Sequence, residues 1–329
     1  MVAATIAGIG WDTPGSADQD SLWSGFFAEH YDQARLARRL FSSVGVQRRH
    51  AAVNPLVEDC STWPTSRRMQ RYQREALPLG KEAVTGALTA ADVDPSQVAY
   101  FAVASCTGYA TPGLDVLLAR DVGMPADTQR LFGGHMGCDA ALPGLGAVSD
   151  FVAHRDGVGV LLCLELTSLH LQPRGVVGEP LDTEQVVSHA LFSDAAVALV
   201  VRPSAPGLAV VDVRAVTDVA HAGHMTWDVT DLGFRMGLSA EVPDVLATHV
   251  RGAVDDMLAA HGLAVPDVAG WAVHPGGPRI LDVVRDRLGL EEAAMTSSRS
   301  VLREHGNCSS ATVLLVLDEL VRTRRPDRG

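Results

Sequence analysis

Two stretches of this chain recur at nearly one spacing. Leu88-Thr-Ala-Ala with Val98-Ala-Tyr-Phe-Ala-Val103 parallels Leu258-Ala-Ala-His with Val268-Ala-Gly-Trp-Ala-Val273, and Val98 lies 170 positions before Val268. Gly137-Cys-Asp-Ala-Ala141 parallels Gly306-Asn-Cys-Ser-Ser310, with Cys138 169 positions before Asn307. One such match is common by chance; two at a shared offset are rare, so the chain reads as two duplicated halves. Duplication places Cys138 and Asn307 at equivalent turns, each entering a helix. His274 follows the second-half strand that corresponds to the one ending near Ala104. Pseudo-symmetry then brings all three residues toward one central site.

Apolar runs over Val98–Ala104, Gly159–Leu164, Ala195–Val201, Leu208–Val213 and Val268–Val273 are predicted as buried strands. Strands without polar alternation need cover on both faces, which gives an α/β architecture. Helical spacing runs near 76–91, 141–154, 245–260 and 310–322, the last with the stripe Ala311, Val313, Leu314, Leu317, Leu320 and Val321. The Pro- and Gly-containing segment Arg202–Gly207 is the best seam. The expected domains are therefore 1–205, carrying the cysteine, and 206–329, carrying His274 and Asn307.

Composition narrows the partners. Acidic residues number 39 against 27 basic, a formal charge of −12, which repels nucleic acid. The five cysteines are widely spaced with no CxxC, so neither a disulfide framework nor a zinc knuckle is expected. No signal peptide stands out at the N-terminus. The longest apolar runs, such as Val158–Leu164, fall far short of the roughly 20 residues of a membrane span. A soluble, cytoplasmic protein is expected. His221-Ala-Gly-His224 lacks a nearby carboxylate or third ligand, so no metal is expected there.

Glycines precede Cys138 and a helical pattern follows. Pro143 is tolerated only near a helix start, so that start lies just behind the cysteine. Unpaired N–H groups and the positive dipole end favour thiolate there; the competing account is a small buried core cysteine. His274 opens His274-Pro-Gly-Gly-Pro278 after a strand, where an imidazole can pair with a thiolate and donate to an oxyanion, or be a plain loop histidine. The Asn307 amide can give that oxyanion a second donor, or cap a turn. Together the three support thioester chemistry.

At this point the chain resembles the type III polyketide synthases, the chalcone synthase superfamily, in its bacterial type. The matching segments are Ser105-Cys-Thr-Gly-Tyr-Ala-Thr-Pro-Gly113, Gly137-Cys138, Glu165-Leu-Thr167, Ala190-Leu-Phe-Ser-Asp-Ala195, His274-Pro-Gly-Gly-Pro278 and Gly306-Asn-Cys-Ser-Ser-Ala-Thr312, in family order from about residue 95 onward. The resemblance implies a thiolase-like duplicated α/β fold, layered αβαβα with two mixed sheets. It implies a homodimer, acyl-CoA and malonyl-CoA as substrates, and no metal or redox cofactor. It makes Cys138 the residue acylated by the starter. His274 and Asn307 assist loading, decarboxylation and condensation. Phe192 is the gatekeeper whose aromatic face disfavours the malonyl carboxylate and helps CO₂ leave.

The same resemblance places Cys106, His170, Phe234 and Ser309 in the substrate pocket. Arg35, Arg38 and Arg39 form a basic cluster suited to CoA phosphates; the alternative is a solvated helix face. Three departures stand out. Asp139 follows the nucleophile, where a carboxylate can cap the helix or raise the thiol pKa. His170 narrows or polarises the pocket. No segment like the family's Gly-Phe-Gly-Pro-Gly loop follows Arg322-Thr-Arg-Arg-Pro-Asp-Arg-Gly329, so the second half is expected to lack its final hairpin.

The function expected is extension of an acyl-CoA starter on Cys138 with malonyl-CoA, giving a pyrone, resorcinol or polyhydroxyaromatic product. The alternatives are a single-round ketosynthase III-like acyltransferase, which admits an acyl carrier protein as partner, and a catalytically silent dimer partner.

Overall fold

The computed structural model describes residues 3–155, 157–175 and 180–323. The strands are β1 (Ala4–Asp12), β2 (Ser16–Asp18), β3 (Arg48–His50), β4 (Val98–Ser105), β5 (Gln129–Gly134), β6 (Val158–Leu166), β7 (Asp194–Pro203), β8 (Leu208–Ala209), β9 (Met225–Thr230) and β10 (Gly233–Leu238). The helices are α1 (Gln19–Leu22), α2 (Ala28–His30), α3 (Arg35–Ser43), α4 (Thr65–Ala90), α5 (Leu114–Val122), α6 (Ala141–Arg155), α7 (Thr183–Leu191), α8 (Val242–Ala259), α9 (Pro278–Leu288), α10 (Thr296–His305) and α11 (Thr312–Thr323).

One mixed sheet, in the order β5-β4-β6-β7-β1-β8, forms the centre. β4 pairs in parallel with β5 and β6; β7 runs antiparallel to both β6 and β1. β6 and β7 are buried almost throughout, as apolar runs without alternation require. On one face α4 lies against β1 so closely that a Cβ at Gly10 would stand 2.2 Å from the Ala87 nitrogen, so only glycine fits. The other face is covered by α6 through Leu145, Val148 and Val152, and by α11 through Val313, Leu314 and Leu315. The two helices that the repeat relates thus cover one face of the sheet together.

α4 begins about three turns before the apolar period near 76–91, because its early buried face is Arg68 and Tyr72. The second half departs from expectation. Val268–Val273 is not a strand, and the run Leu208–Val213 pairs only at Leu208 and Ala209, with β1. Among the described residues there is therefore one large mixed sheet, not two; β2/β3 and β9/β10 are separate antiparallel pairs. A strand needs a hydrogen-bonded neighbour, and among the described residues the polar partner near the end of 268–273 is a side chain. The Ser298 hydroxyl accepts from the Val273 N–H at 3.2 Å and donates to its carbonyl at 2.8 Å. Val268, Trp271 and Val273 pack instead against the core of α8 and α9, around Leu258, Val284 and Leu288. Residues 324–329, part of the tail discussed above, lie outside the described residues. Among the described residues no helix is long and apolar enough to cross a membrane.

Candidate active site

Two matching turns build the floor of the site. Gly137, at φ 75°, opens the short 3-10 turn Gly137–Asp139 that delivers Cys138 to the start of α6. Gly306, at φ 70°, precedes the equivalent turn Ser309–Ala311, which leads into α11. Left-handed backbone favours glycine at both openings. The two turns pack against each other, so the pairing of Cys138 with Asn307 holds.

Cys138 lines a cavity of about 340 Å³ with Cys106, Thr167, Phe192, Trp227 and Ser309. Asn307 is buried behind it, and its amide is oriented by two donors. Oδ1 accepts from the Ser309 N–H at 2.9 Å and from the Thr312 hydroxyl at 3.2 Å, which leaves Nδ2 for the Cys138 thiol. The Asn307 backbone brackets Phe192, because its N–H donates to the Leu191 carbonyl and its carbonyl accepts from the Ser193 N–H, both at 2.9 Å. Arg49 donates to the Phe192 carbonyl at 3.1 Å. Asp194, fully buried, holds the same turn through Ser168, Thr167 and the Ala52 N–H.

The electrostatics correct one expectation. The helix start does not make Cys138 a resting thiolate. Burial pushes its thiol up to about 11; Ser309 and Asn307 pull the other way, while the charges of Glu165 and Asp139 add to the rise. Desolvation outweighs the hydrogen-bond contribution here. His274 stands at the end of the extended segment 268–273. Burial lowers its imidazole to about 4, and both ring nitrogens are buried without a partner. No hydrogen bond joins it to Cys138, and it is absent from the cavity lining.

Cys106 lies at the cavity wall, its sulfur 3.6 Å from the Ser309 hydroxyl and 3.4 Å from Glu165 Oε2. His170 and Phe234 lie farther back, around a second cavity of about 60 Å³ that also touches Phe192. Arg35, Arg38 and Arg39 are exposed on α3 and line neither cavity; Arg38 pairs with Asp20 at 3.0 Å. His221 and His249 share Asp218 at 2.7 Å each. Among the described residues no group of three His, Cys, Asp or Glu side chains is placed to hold a metal.

Sequence reasoning passed over Glu165, Trp227, Arg49 and Asp194 as site residues. Glu165 had a signal, a carboxylate at the end of the apolar run of β6. It is fully buried, accepts from the Cys106 N–H and the Thr107 and Ser310 hydroxyls, and is pushed up to about 7 by burial. Trp227 had none, because nothing in Met-Thr-Trp-Asp shows which side of a hairpin faces a cavity.

Known proteins share this chain's sequence pattern and fold. Residues 44–205 match the N-terminal domain of chalcone and stilbene synthases and residues 215–327 their C-terminal domain. The chain is 36% identical over 303 residues to 1,3,6,8-tetrahydroxynaphthalene synthase of Streptomyces peucetius subsp. caesius, covering 89% of this chain and 78% of that protein. It is 29% identical over 336 residues to the alpha-pyrone synthesis polyketide synthase-like Pks18 of Mycobacterium tuberculosis, covering 97% and 84%. The crystal structure of PKS-I from the brown alga Ectocarpus siliculosus superposes with a TM-score of 0.90 at 26% identity, over 98% of this chain and 90% of that one. The fold is thus thiolase-like, and enzymes of this kind need no cofactor beyond their CoA substrates. With both halves matched, and a cysteine and a phenylalanine lining one cavity with an asparagine behind the cysteine, the chain belongs to the chalcone and stilbene synthase family and is a type III polyketide synthase, an acyltransferase that condenses with loss of CO₂.

Proposed function

We propose that Cys138, His274, Asn307 and Phe192 carry out loading, decarboxylation and condensation. The observation that carries this reading is the Asn307 amide, whose oxygen is held by Ser309 and Thr312 so that its Nδ2 faces the one cysteine on the cavity floor.

In loading, Cys138 Sγ attacks the acyl-CoA carbonyl while its proton passes to His274. A neutral imidazole suits that task, and burial keeps this one neutral at pH 7. The proton leaves on the departing CoA thiol. In extension, malonyl-CoA sets its carboxylate against the Phe192 face, where an apolar neighbour disfavours the charge. The C–C bond breaks, CO₂ leaves, and the enolate oxygen takes hydrogen bonds from Asn307 Nδ2 and the His274 N–H. The enolate carbon attacks the acyl group on Cys138, the C–S bond breaks, and the lengthened chain stays on CoA. Likeness to a tetrahydroxynaphthalene synthase and to an alpha-pyrone polyketide synthase supports repeated rounds and a pyrone, resorcinol or polyhydroxyaromatic product.

Arg35, Arg38 and Arg39 serve the CoA phosphates in this reading. The working unit is a cytoplasmic homodimer with halves 1–205 and 206–329, and the acyl donor is a CoA ester in preference to an acyl carrier protein. The test is mass spectrometry after incubation with malonyl-CoA and a panel of acyl-CoAs. A Cys138 adduct and products longer by several acetate units are expected, both abolished in Cys138→Ala. Chain extension that survives in Cys138→Ala removes the cysteine from its role.

A further inference from the structure

α7 ends one residue before Phe192, which turns into extended backbone at φ −78° and ψ 150°. A helix end leaves its last carbonyls without partners inside the helix, and here each of them is claimed. The Ser188 carbonyl accepts from the Phe192 N–H at 3.1 Å, and the Leu191 carbonyl accepts from the Asn307 N–H at 2.9 Å. Between them, the Gln19 amide donates to the Ala190 carbonyl at 2.8 Å. One guanidinium nitrogen, Arg49 Nη1, donates to the His189 carbonyl and, at 3.1 Å, to the Phe192 carbonyl itself. Gln19 and Arg49 also fix each other, because Arg49 Nε donates to Gln19 Oε1 at 2.8 Å. Both side chains are buried, and they come from α1 and β3, far from α7 in sequence. A cation at a helix C-terminus complements the dipole, and this one stays charged at pH 7, because burial lowers it only to about 10. Its hydrogen bonds go to uncharged oxygens, and burying a cation in that way is costly. An apolar side chain would avoid the cost but would leave the His189 and Phe192 carbonyls unheld.

We propose that Arg49 and Gln19 are positioning residues for decarboxylation, a clamp on the last turn of α7 that keeps the Phe192 ring facing the reaction cavity. This rests on the reading of Phe192 as the aromatic beside the malonyl carboxylate. The Asn307 backbone grips the turn from the second half of the chain, and the clamp grips it from the N-terminal segment. With the clamp broken, the peptide after Phe192 is free to rotate and the ring shifts with it. A shift of about 1 Å at a reacting group can cost roughly 10²-fold in rate. Loading of Cys138 from an acyl-CoA makes no use of that ring face, so the clamp matters to one partial reaction and not to the other.

The test measures two partial reactions of the full chain. Acylation of Cys138 by acetyl-CoA is read by mass spectrometry, and decarboxylation of malonyl-CoA by release of CO₂. Arg49→Met, close in length but uncharged, is expected to lower kcat for decarboxylation about tenfold, with KM and the acylation rate within about twofold of the wild type. Gln19→Leu is expected to lower the same kcat about threefold. Arg49→Lys should fall between wild type and Arg49→Met, because a single ammonium lacks the fork that spans two carbonyls. In Phe192→Leu the ring is gone, so adding Arg49→Met is expected to cost nothing further. A merely structural arginine would slow both partial reactions together, and that result overturns the proposal. Losses that multiply in the double variant overturn it as well, because Arg49 would then act independently of Phe192. If Arg49→Met does not fold, Gln19→Leu is combined with Phe192→Leu and read in the same way. If Phe192→Leu decarboxylates as fast as the wild type, the reading of Phe192 falls and the clamp falls with it; a slowed Phe192→Leu beside unchanged Arg49→Met and Gln19→Leu removes the clamp alone.

Discussion

Ser310, in the turn that leads into α11, donates its hydroxyl to Glu165 Oε1 at 2.6 Å and so ties the second half of the chain to a fully buried carboxyl of the first. The other oxygen accepts from the Cys106 N–H at 3.0 Å and the Thr107 hydroxyl at 2.9 Å. Burial outweighs these donors and lifts the carboxyl from the ordinary 4.5 to about 7. Between those values the folded chain keeps a proton that the unfolded chain has lost. Stability from this group is therefore present at low pH and lost as pH rises through the window, by about 3 kcal/mol in all. Glu165→Gln has no such proton. Urea unfolding near pH 4.5 and pH 8 should show the wild type losing about that much relative to the variant. A difference that does not change with pH would mean that the carboxyl ionises normally in the fold.

How much of this was legible beforehand depended on the residue. The repeat placed Cys138 and Asn307 correctly, because matching turns need matching glycines and helix starts, and those are local. The apolar runs of β4, β6 and β7 were legible for the same reason. Val268–Val273 has the same composition but no neighbour to pair with, and pairing is not written in a strand's own residues. The upward push on the Cys138 thiol is not legible, because a helix start is visible in sequence while what packs around the thiol is not. Trp227 and Arg68 were invisible because their roles come from what lies across the fold, a carbonyl at residue 106 and carbonyls at 169 and 171.

The raised Cys138 thiol makes a kinetic prediction. Only the thiolate alkylates, so iodoacetamide modification of Cys138 should climb about tenfold per pH unit from pH 7 to pH 9 without levelling, given a thiol near 11. Peptide mapping separates this site from the four other cysteines, which are all buried. A plateau below pH 7 would instead report a resting thiolate, the state that the helix start alone suggests.

Thr312 is expected to act through Asn307. Its hydroxyl lies 3.2 Å from Asn307 Oδ1 and 2.8 Å from the Ser309 carbonyl. Thr312→Val keeps the shape and removes the donor, so the amide loses one of the two contacts that aim Nδ2. A misdirected oxyanion donor is worth part of the roughly 10²–10³ in kcat that full removal costs. Malonyl-CoA decarboxylation should fall about tenfold in kcat with KM little changed, and Thr312→Ser should restore it. Equal rates in all three proteins would show that the amide is aimed by the Ser309 N–H alone.

Gly233 opens β10 at φ 90°, and a Cβ there would lie 2.6 Å from Arg68 Cδ and 3.0 Å from His170 Nδ1. Neither neighbour can yield easily, because Arg68 is held by backbone carbonyls and Nδ1 is the acceptor for the Phe234 N–H. Gly233→Ala therefore combines a strained backbone with overpacking, and about 3 kcal/mol of lost stability is expected. Gly262 supplies the control. Its φ is 69°, and nothing lies within 4 Å of its Cβ position. Gly262→Ala bears the backbone strain alone, about 1 kcal/mol. Urea unfolding of the two variants under one condition separates the contributions. Equal losses would mean that the Arg68 and His170 packing gives way around a methyl group, and that the wall behind Phe234 is softer than its hydrogen bonds indicate.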